Sequence, residues 1–582
     1  MSAKEMTLMA KILDKKLYVL AALAGLLQAW SMGLPFHLGA SGAMQWVGML
    51  VLCFLVLGSK TSKECGRVAF IFQTTALSTT FWWIFISLYV YGQMHGLLAA
   101  FAVVALASAL AVYWWFFSWV FYKLCMAPLP SQRALLSPMQ KMGHTALMSM
   151  GFGAAWLLSE LCRGQWFTGF PWGSSGYAHN DTWLSIFAPW VGVYGMGAIS
   201  AAMAMWVAKT CVDLRRPWVQ EPAHDGVEAV ESQNLQSSSS SLSGSHRWRT
   251  WAWIALPMLS LVPWTFLRGQ DQDTAMLLHS DGYSKPLSVE LLQGNVPQQT
   301  KFRDDRVSAA QWYYDQIMLS DAQLVVTPET AFAMTIHELP STFLDSFRQH
   351  LQAEQQAVLL GMPTKDGLDY ANSALAMVGQ REHVYRYDKS HLVPFGEFIP
   401  PLFQWFTNQM QMPLGFFKSG PSIQSSLRFL NQSIAPNICY EDLFGEELAL
   451  QFKNADRSPS ILVNMSNIAW FGDTVILDQH LEISRMRTLE LRRPMIRSTN
   501  SGVSAIIDHT GRVNVMAHVF SREKIKAWVH GRFDEPTFFA WWASRYGLLP
   551  LWALALAVLG FIGLKRSFEL NLNHSESKKL GN

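Results

Sequence analysis

Charge is scarce in this chain. Asp, Glu, Lys and Arg make up 15 % of its 582 residues, where an average soluble domain carries roughly 25 %. The net formal charge of +3 is too small for a nucleic-acid surface, so no nucleic-acid partner is expected. Cysteine is scarce as well: Cys53, Cys65, Cys125, Cys162, Cys211 and Cys439 are all there are. None forms a CxxC pair and most lie in or beside apolar stretches, which argues against a disulfide framework or a zinc site. What the chain has in quantity is apolar and aromatic: 50 % hydrophobic residues, 25 Trp, 35 Phe and 27 Met. That is a membrane-protein composition.

Seven apolar stretches precede residue 270, at roughly 17–34, 40–58, 68–91, 97–122, 145–161, 184–208 and 250–267, and an eighth, WALALAVLGFIGL, lies at 552–564. Most approach or exceed the roughly 20 residues needed to cross a bilayer core; the fifth and seventh are marginal. The first is long, lacks a convincing cleavage site and is followed by further apolar segments, so it is expected to be retained. Lys and Arg alternate across the connections. Lys4, Lys11, Lys15 and Lys16 precede the first stretch, 35–39 has none, and GSKTSKECGR has Lys60, Lys63 and Arg67. YGQMHG again has none, whereas Lys123, Arg133 and Lys141 fall in the next connection. The 162–183 loop has only Arg163, the 209–249 linker has five basic residues, and the tail carries Lys565, Arg566, Lys578 and Lys579. By the positive-inside rule both termini are cytoplasmic and 268–540 faces outward. The expected division is a membrane domain at 1–267 with seven helices, an outer domain at 268–540, and an eighth helix with a tail at 541–582. ESQNLQSSSSSLSGS, within a linker at about 220–247, reads as disordered.

Region 268–540 carries strand-length apolar runs: VELLQGNV (289–296), QLVVTPE (323–329), AVLLGMP (357–363), NSALAMVG (372–379), SIAPNICYE (433–441), SILVNMSN (460–467) and SGVSAIIDHTG (501–511). Helical patterns, VSAAQWYYDQIML (307–319) and ILDQHLEISRMRTLELRR (476–493), lie between them. This alternation predicts one α/β domain large enough to bury its own core.

Three polar residues occupy strand ends. Glu329 closes QLVVTPE, Lys389 follows the short strand pattern in REHVYRYDKS, and Cys439 closes SIAPNIC. Singly, each reads as a turn residue, a solvated surface pair or a small buried hydrophobe. Together they satisfy thiol chemistry. An ammonium favours thiolate and stabilises an oxyanion, and a carboxylate removes and returns the proton. No histidine is needed, and metal-ligand spacings are absent.

TPET, YDKSHLVPFGEFIP, NICYEDLFGE and NMSNIAWFGDT resemble the nitrilase superfamily, and within it the membrane-embedded branch of bacterial apolipoprotein N-acyltransferases. LLSELCRGQWFTGFPWGSSGY, APWVGVYGMG, LLQGNVPQQTKF and the long run 479–511 extend the resemblance over most of the chain. It implies an α/β, nitrilase-like α-β-β-α sandwich inserted between the transmembrane helices of an eight-helix polytopic domain, in the bacterial inner membrane and facing the periplasm. It implies Glu329 as general base, Lys389 as transition-state stabiliser and Cys439 as nucleophile, with Glu397, Tyr440 and Glu441 in support. The implied reaction moves an acyl chain from the sn-1 position of a phospholipid, preferably phosphatidylethanolamine, onto Cys439 as a thioester. The chain then passes to the N-terminal amine of a diacylglyceryl-cysteine apolipoprotein. The partners implied are these two lipid-anchored substrates and the bilayer; no metal or cofactor is called for, and a monomer is expected.

Both substrates require a site at the membrane surface. The apolar segment IPPLFQWFTNQMQMPLGFF (399–417) is expected to touch lipid through Trp405, Phe406, Phe416 and Phe417. Phe152, Trp156 and 167–172 are placed on the same side. Arg163 is read either as a phosphate contact or as a helix cap. Two residues depart from the family pattern: Ile468 replaces an aspartate expected near the rim, and Phe302 replaces a tryptophan. Two other readings compete. C–N hydrolysis would use the same three residues with water as second nucleophile. A transporter would be expected to carry more intramembrane charge than Glu160.

Overall fold

The computed structural model describes residues 3–33, 39–126, 138–215, 285–303, 305–379, 383–400, 417–454 and 458–580. The Ser-rich linker, the seventh apolar stretch and Trp405, Phe406 and Phe416 lie outside the described residues.

The first part is helical: α1 (Ala3–Trp30), α2 (Gly42–Gly58), α3 (Ser62–Thr80), α4 (Gly96–Phe121), α5 (Pro138–Gln165) and α6 (Ala188–Arg215). The start of α3 is fixed locally. The Thr61 hydroxyl accepts the Glu64 N–H at 3.1 Å, and the Glu64 carboxylate accepts the Lys60 N–H at 2.7 Å, satisfying donors that a helix start leaves open. Among the described residues four helical runs are long and apolar enough to cross a membrane: Gly96–Met126, Met142–Thr168, Trp183–Leu214 and Leu549–Asn571. A fifth results if α3 and the segment Ile84–Tyr91, bent from it by 59°, form one span.

The second part is built on two six-stranded sheets. One has the order β12-β1-β2-β3-β4-β5 and the other β11-β10-β9-β8-β7-β6. In the first, β1 (Leu287–Gln293), β2 (Leu324–Val326) and β3 (Ala357–Asp366) are parallel; β4 (Asp369–Val378), β5 (Tyr385–Asp388) and β12 (Glu523–Val529) add antiparallel. In the second, β7 (Gln432–Ile438), β8 (Ile461–Ser466) and β9 (Met495–Thr499) are the parallel centre. They are flanked by β6 (Leu427–Phe429), β10 (Ala505–Ile507) and β11 (Val513–Met516). The facing sheets bury Val289, Leu291, Leu359, Ile438, Val463 and Ile496 between them. Sandwiching both faces of a sheet explains why its central strands read as continuous apolar runs.

Helices complete the layers. α7 (Arg306–Met318) and α8 (Ser341–Ala353) cover the first sheet through Tyr313, Ile317, Phe347 and Leu351. α9 (Ile476–Leu491) covers the second, with thirteen of its sixteen residues buried. Its outer side shares one apolar core with Leu157, Leu161, Trp172 and Tyr177 of the helical part. The fourth layer of the α-β-β-α sandwich is therefore also the joint to the membrane body. α10 (Phe538–Tyr546) packs at that joint before α11 (Leu549–Leu580) leaves it.

Candidate active site

Two of the three strand-end residues are delivered by a sharp backbone turn, and the third by an extension of strand pairing. After β2, Thr327 hydrogen-bonds across to β3, Thr330 adopts φ +49°, and Glu329 is turned inward. Gly361 of β3 passes so close that a Cβ there would lie 2.0 Å from the Pro328 carbonyl; only glycine permits that approach. Cys439 follows β7 at φ +53° and opens a one-turn 3₁₀ helix, Cys439–Leu443. A non-glycine residue in the left-handed region is strained. Here the strain stands the thiol out from the strand end. Lys389 follows β5, its N–H donating to the Asn372 carbonyl at 2.8 Å.

The side chains converge between the two sheets. The Lys389 ammonium, 1 % exposed, donates to Glu329 Oε1 at 3.2 Å and Glu397 Oε1 at 3.0 Å. Asn372 Nδ2 donates to the same two oxygens at 2.7 and 2.8 Å. The remaining oxygens are held by main chain: Asn467 N–H donates to Glu329 Oε2 at 2.9 Å, and Val393 N–H to Glu397 Oε2 at 2.8 Å. Burial pulls the Lys389 pKa down, but the charges of Glu329 and Glu397 override it and hold the ammonium above its ordinary value. Burial, and then the Glu329 charge, push the Cys439 thiol up to about 12 against the pull of Lys389. A thiol raised in this way needs a base to take its proton before it can act as a nucleophile.

Glu441 clamps the turn after Cys439 to the loop after Lys389. It accepts Ile438 N–H at 2.6 Å, Ser390 N–H at 2.6 Å, the Ser390 hydroxyl at 2.7 Å and the Tyr387 hydroxyl at 3.0 Å. Asp442, which the sequence left without a role, accepts from the Ser484 hydroxyl and lies 3.9 Å from Arg497. Arg497 in turn donates to Asn464 Oδ1 at 2.9 Å and His480 Nδ1 at 3.0 Å. Beneath Cys439 lies a buried polar raft that stiffens the floor of the site. Sequence pattern missed Asn372, Lys301 and Arg497. Their signal was a polar residue inside or beside an apolar run, which singly reads as a strand boundary.

One wall comes from the helical part. Tyr440 donates its hydroxyl to the Gly169 carbonyl at 3.0 Å, and His391 Nε2 lies 3.0 Å from the Thr168 carbonyl. Phe167 and Thr168 both have positive φ, and Phe167 is 91 % exposed. Arg163 is buried inside this loop, donating to the carbonyls of Phe170 and Trp172 and to Ser174. Its guanidinium is thus turned to the protein interior rather than to a lipid surface. Phe152 and Trp156 are likewise core residues, packed against Trp114. Phe417 is half-buried and bridges to Tyr370, its N–H donating to the Glu397 carbonyl at 3.1 Å. Ile468 is 2 % exposed and packs on Gly502, so the aspartate replacement lies in apolar core and not at a rim. Phe302 is 49 % exposed. Among the described residues no cluster of side chains is arranged to hold a metal ion.

Two packed mixed sheets with Glu, Lys and Cys gathered at their strand ends define a carbon–nitrogen-hydrolase-type fold, and residues 292–529 match the family described as carbon-nitrogen hydrolase. Residues 24–206 match the apolipoprotein N-acyltransferase N-terminal domain. The apolipoprotein N-acyltransferase of Verminephrobacter eiseniae is 40 % identical over 91 % of this chain and 92 % of its own. That of Ralstonia nicotianae is 38 % identical over 84 % and 83 %, and that of Nitrosomonas europaea 32 % over 90 % and 94 %. The chain belongs to the apolipoprotein N-acyltransferase family, and it is a membrane acyltransferase.

Proposed function

We propose that this enzyme moves an acyl chain from a membrane phospholipid, through a Cys439 thioester, to the N-terminal amine of a diacylated apolipoprotein. The observation that carries the reading is the hydrogen bond from Tyr440, next to the nucleophile, to Gly169, just beyond the apolar run Met142–Thr168. It ties the residue after Cys439 to the end of that run, which supports a site open to a lipid ester.

In the first half, Glu329 takes the thiol proton as sulfur attacks the sn-1 ester carbonyl. Lys389 and the Tyr440 N–H hold the oxyanion. Collapse breaks the ester C–O bond, and the proton on Glu329 passes to the departing lysophospholipid oxygen. In the second half, the lipoprotein amine attacks the thioester carbonyl and gives its proton to Glu329. The C–S bond breaks, and the sulfur recovers a proton from Glu329. Phosphatidylethanolamine is the proposed donor, on the strength of the family resemblance alone. In this reading the catalytic domain lies on the periplasmic face of eight crossings, and the enzyme works as a monomer. Water as the second nucleophile gives the hydrolytic alternative, which the membrane body disfavours.

The test is purified enzyme in detergent, given a phospholipid and then a diacylated lipopeptide. Mass spectrometry is expected to find an acyl adduct on Cys439 that disappears as triacylated peptide forms. Cys439→Ser should form neither while remaining folded. Transfer by Cys439→Ser, or free fatty acid with no peptide product, sinks the proposal.

A further inference from the structure

Lys301 is a fully buried lysine that the reaction above does not use. It is 1 % exposed, in the turn that runs from Pro297 to Arg303 after β1. Among the described residues its ammonium has one hydrogen-bond acceptor, the main-chain carbonyl of Glu329, at 3.1 Å. The ring of the neighbouring Phe302 is 5.9 Å away. A lysine side chain is rarely buried without a carboxylate partner, so its place behind Glu329 calls for a reason.

The same turn reaches Glu329 a second way. Gln298 Oε1 accepts from Asn467 Nδ2 at 2.8 Å, and the Asn467 N–H is the donor to Glu329 Oε2. The base is therefore gripped from two sides. Lys389 and Asn372 hold its carboxylate in front, while the 298–301 turn holds its backbone and its second oxygen from behind.

We propose that Lys301 is a positioning residue for the reaction: it locks the Glu329 turn through the main-chain carbonyl and sets a second positive charge beside the base. The inference rests on the reading of Glu329 as the proton acceptor for Cys439. Two consequences follow. The ammonium adds to the positive charge that Glu329 already meets in Lys389. The charge is also sensitive to its surroundings: burial, against the attraction of Glu329, pushes the Lys301 pKa down to about 7. A cation so placed is present beside the Glu329 turn at acid pH and is lost as the pH rises through neutrality.

The test needs no lipid, which separates it from the proposed acyl transfer. Full-length enzyme in detergent is alkylated with iodoacetamide across a pH series, and modification of the Cys439 peptide is read by mass spectrometry. Lys301→Gln keeps an amide donor for the Glu329 carbonyl and removes the charge. The acid limb of the Cys439 alkylation profile is expected to move to higher pH by about one unit, the size of effect an adjacent opposite charge exerts. Lys301→Met should show the same shift together with a lower plateau, and Lys301→Arg should restore the wild-type limb. An unmoved limb in Lys301→Gln, whatever its plateau, overturns the proposal. So does loss of folding in that variant, read by thermal unfolding, since it would assign the lysine to the fold.

Discussion

The carboxylate of Glu441 accepts both the backbone N–H and the hydroxyl of Ser390, at 2.6 and 2.7 Å. Ser390 is the residue after Lys389, and Glu441 lies two after Cys439. The pair thus ties the loop bearing the ammonium to the turn bearing the thiol, across two different sheets. A change at Glu441 should therefore reach the chemistry without touching a reacting atom.

Glu441→Ala leaves the Ile438 and Ser390 N–H groups and the Tyr387 hydroxyl without their acceptor. Each buried donor left unmet costs about 1–3 kcal/mol. A marked fall in unfolding temperature is expected, with Cys439 adduct formation reduced by about 100-fold. Glu441→Gln, which retains one acceptor oxygen, should recover much of the stability and less of the rate. Thermal unfolding in detergent and adduct mass spectrometry measure the two separately.

Asn372 gives the next test, because it was invisible as a functional residue in the sequence. Its amide bridges the oxygens of Glu329 and Glu397 that Lys389 also contacts. Asn372→Asp would set three carboxylates around one ammonium, so loss of transfer is expected near neutral pH. Asn372→Ala should act more mildly, slowing adduct formation by about 100-fold through misplacement of the base. Equal rates in the wild type and Asn372→Asp would refute the bridging role.

Lys389 sits between two carboxylates, and removing it strands both. Lys389→Met is expected to abolish transfer and to destabilise the fold by about 3–5 kcal/mol, the usual cost of breaking a buried ion pair from one side. Glu397→Gln added to Lys389→Met should return part of the stability, since one buried charge has been removed. It should return no activity. A double-mutant comparison by thermal unfolding and adduct formation checks this split.

Glu446 makes stability depend on pH. Burial, and then the charge of Glu447, push its pKa from 4.5 up to about 8. The folded state therefore keeps the proton after the unfolded chain has released it. The contribution is fully present below pH 4.5 and is lost as pH rises to about 8, which is the sign linkage requires for a raised carboxyl. Glu446→Gln should unfold at about the wild-type temperature at pH 4.5, but at a higher one at pH 8. A variant curve parallel to the wild type across that range would remove Glu446 as the source.

Much of this arrangement was legible in the sequence. Apolar runs of the right length marked the centres of both sheets, because strands buried on both faces have no polar alternation to blur them. Glu329 and Cys439 each stood where such a run stopped, and Lys389 followed a short strand pattern. β9 went unread because its sequence, MIRST, ends in three polar residues while every residue in it is buried. Only tertiary partners make that possible, here the Val503 carbonyl, Asn464 and Ser484 around Arg497. β12 shows the opposite case, its alternating EKIKAWV being short and charged at the edge of a sheet.

Arg163 marks where sequence reasoning ran out. A single Lys or Arg on an outer loop reads equally as a phosphate contact and as a cap. Packing decides: α5 carries it inward, where the carbonyls of Phe170 and Trp172 surround it. Ile468 is similar, since a charge lost at a rim and a methyl gained in a core look alike until Gly502 is brought beneath it.

By itself, then, the order of residues determined the membrane body, the α/β domain and the residue types available for thiol chemistry. Those depend on local hydrophobicity and on positions along one strand, which are properties of neighbouring residues. Tertiary structure alone decided that Asn372 and Lys301 stand around the base, that Glu441 joins two loops, and that the wall beside Tyr440 comes from the helical part. Each of those is a contact between segments far apart in the chain. Hydrogen bonds of that kind are set by how two sheets and a membrane helix close on one another, and no local pattern records it.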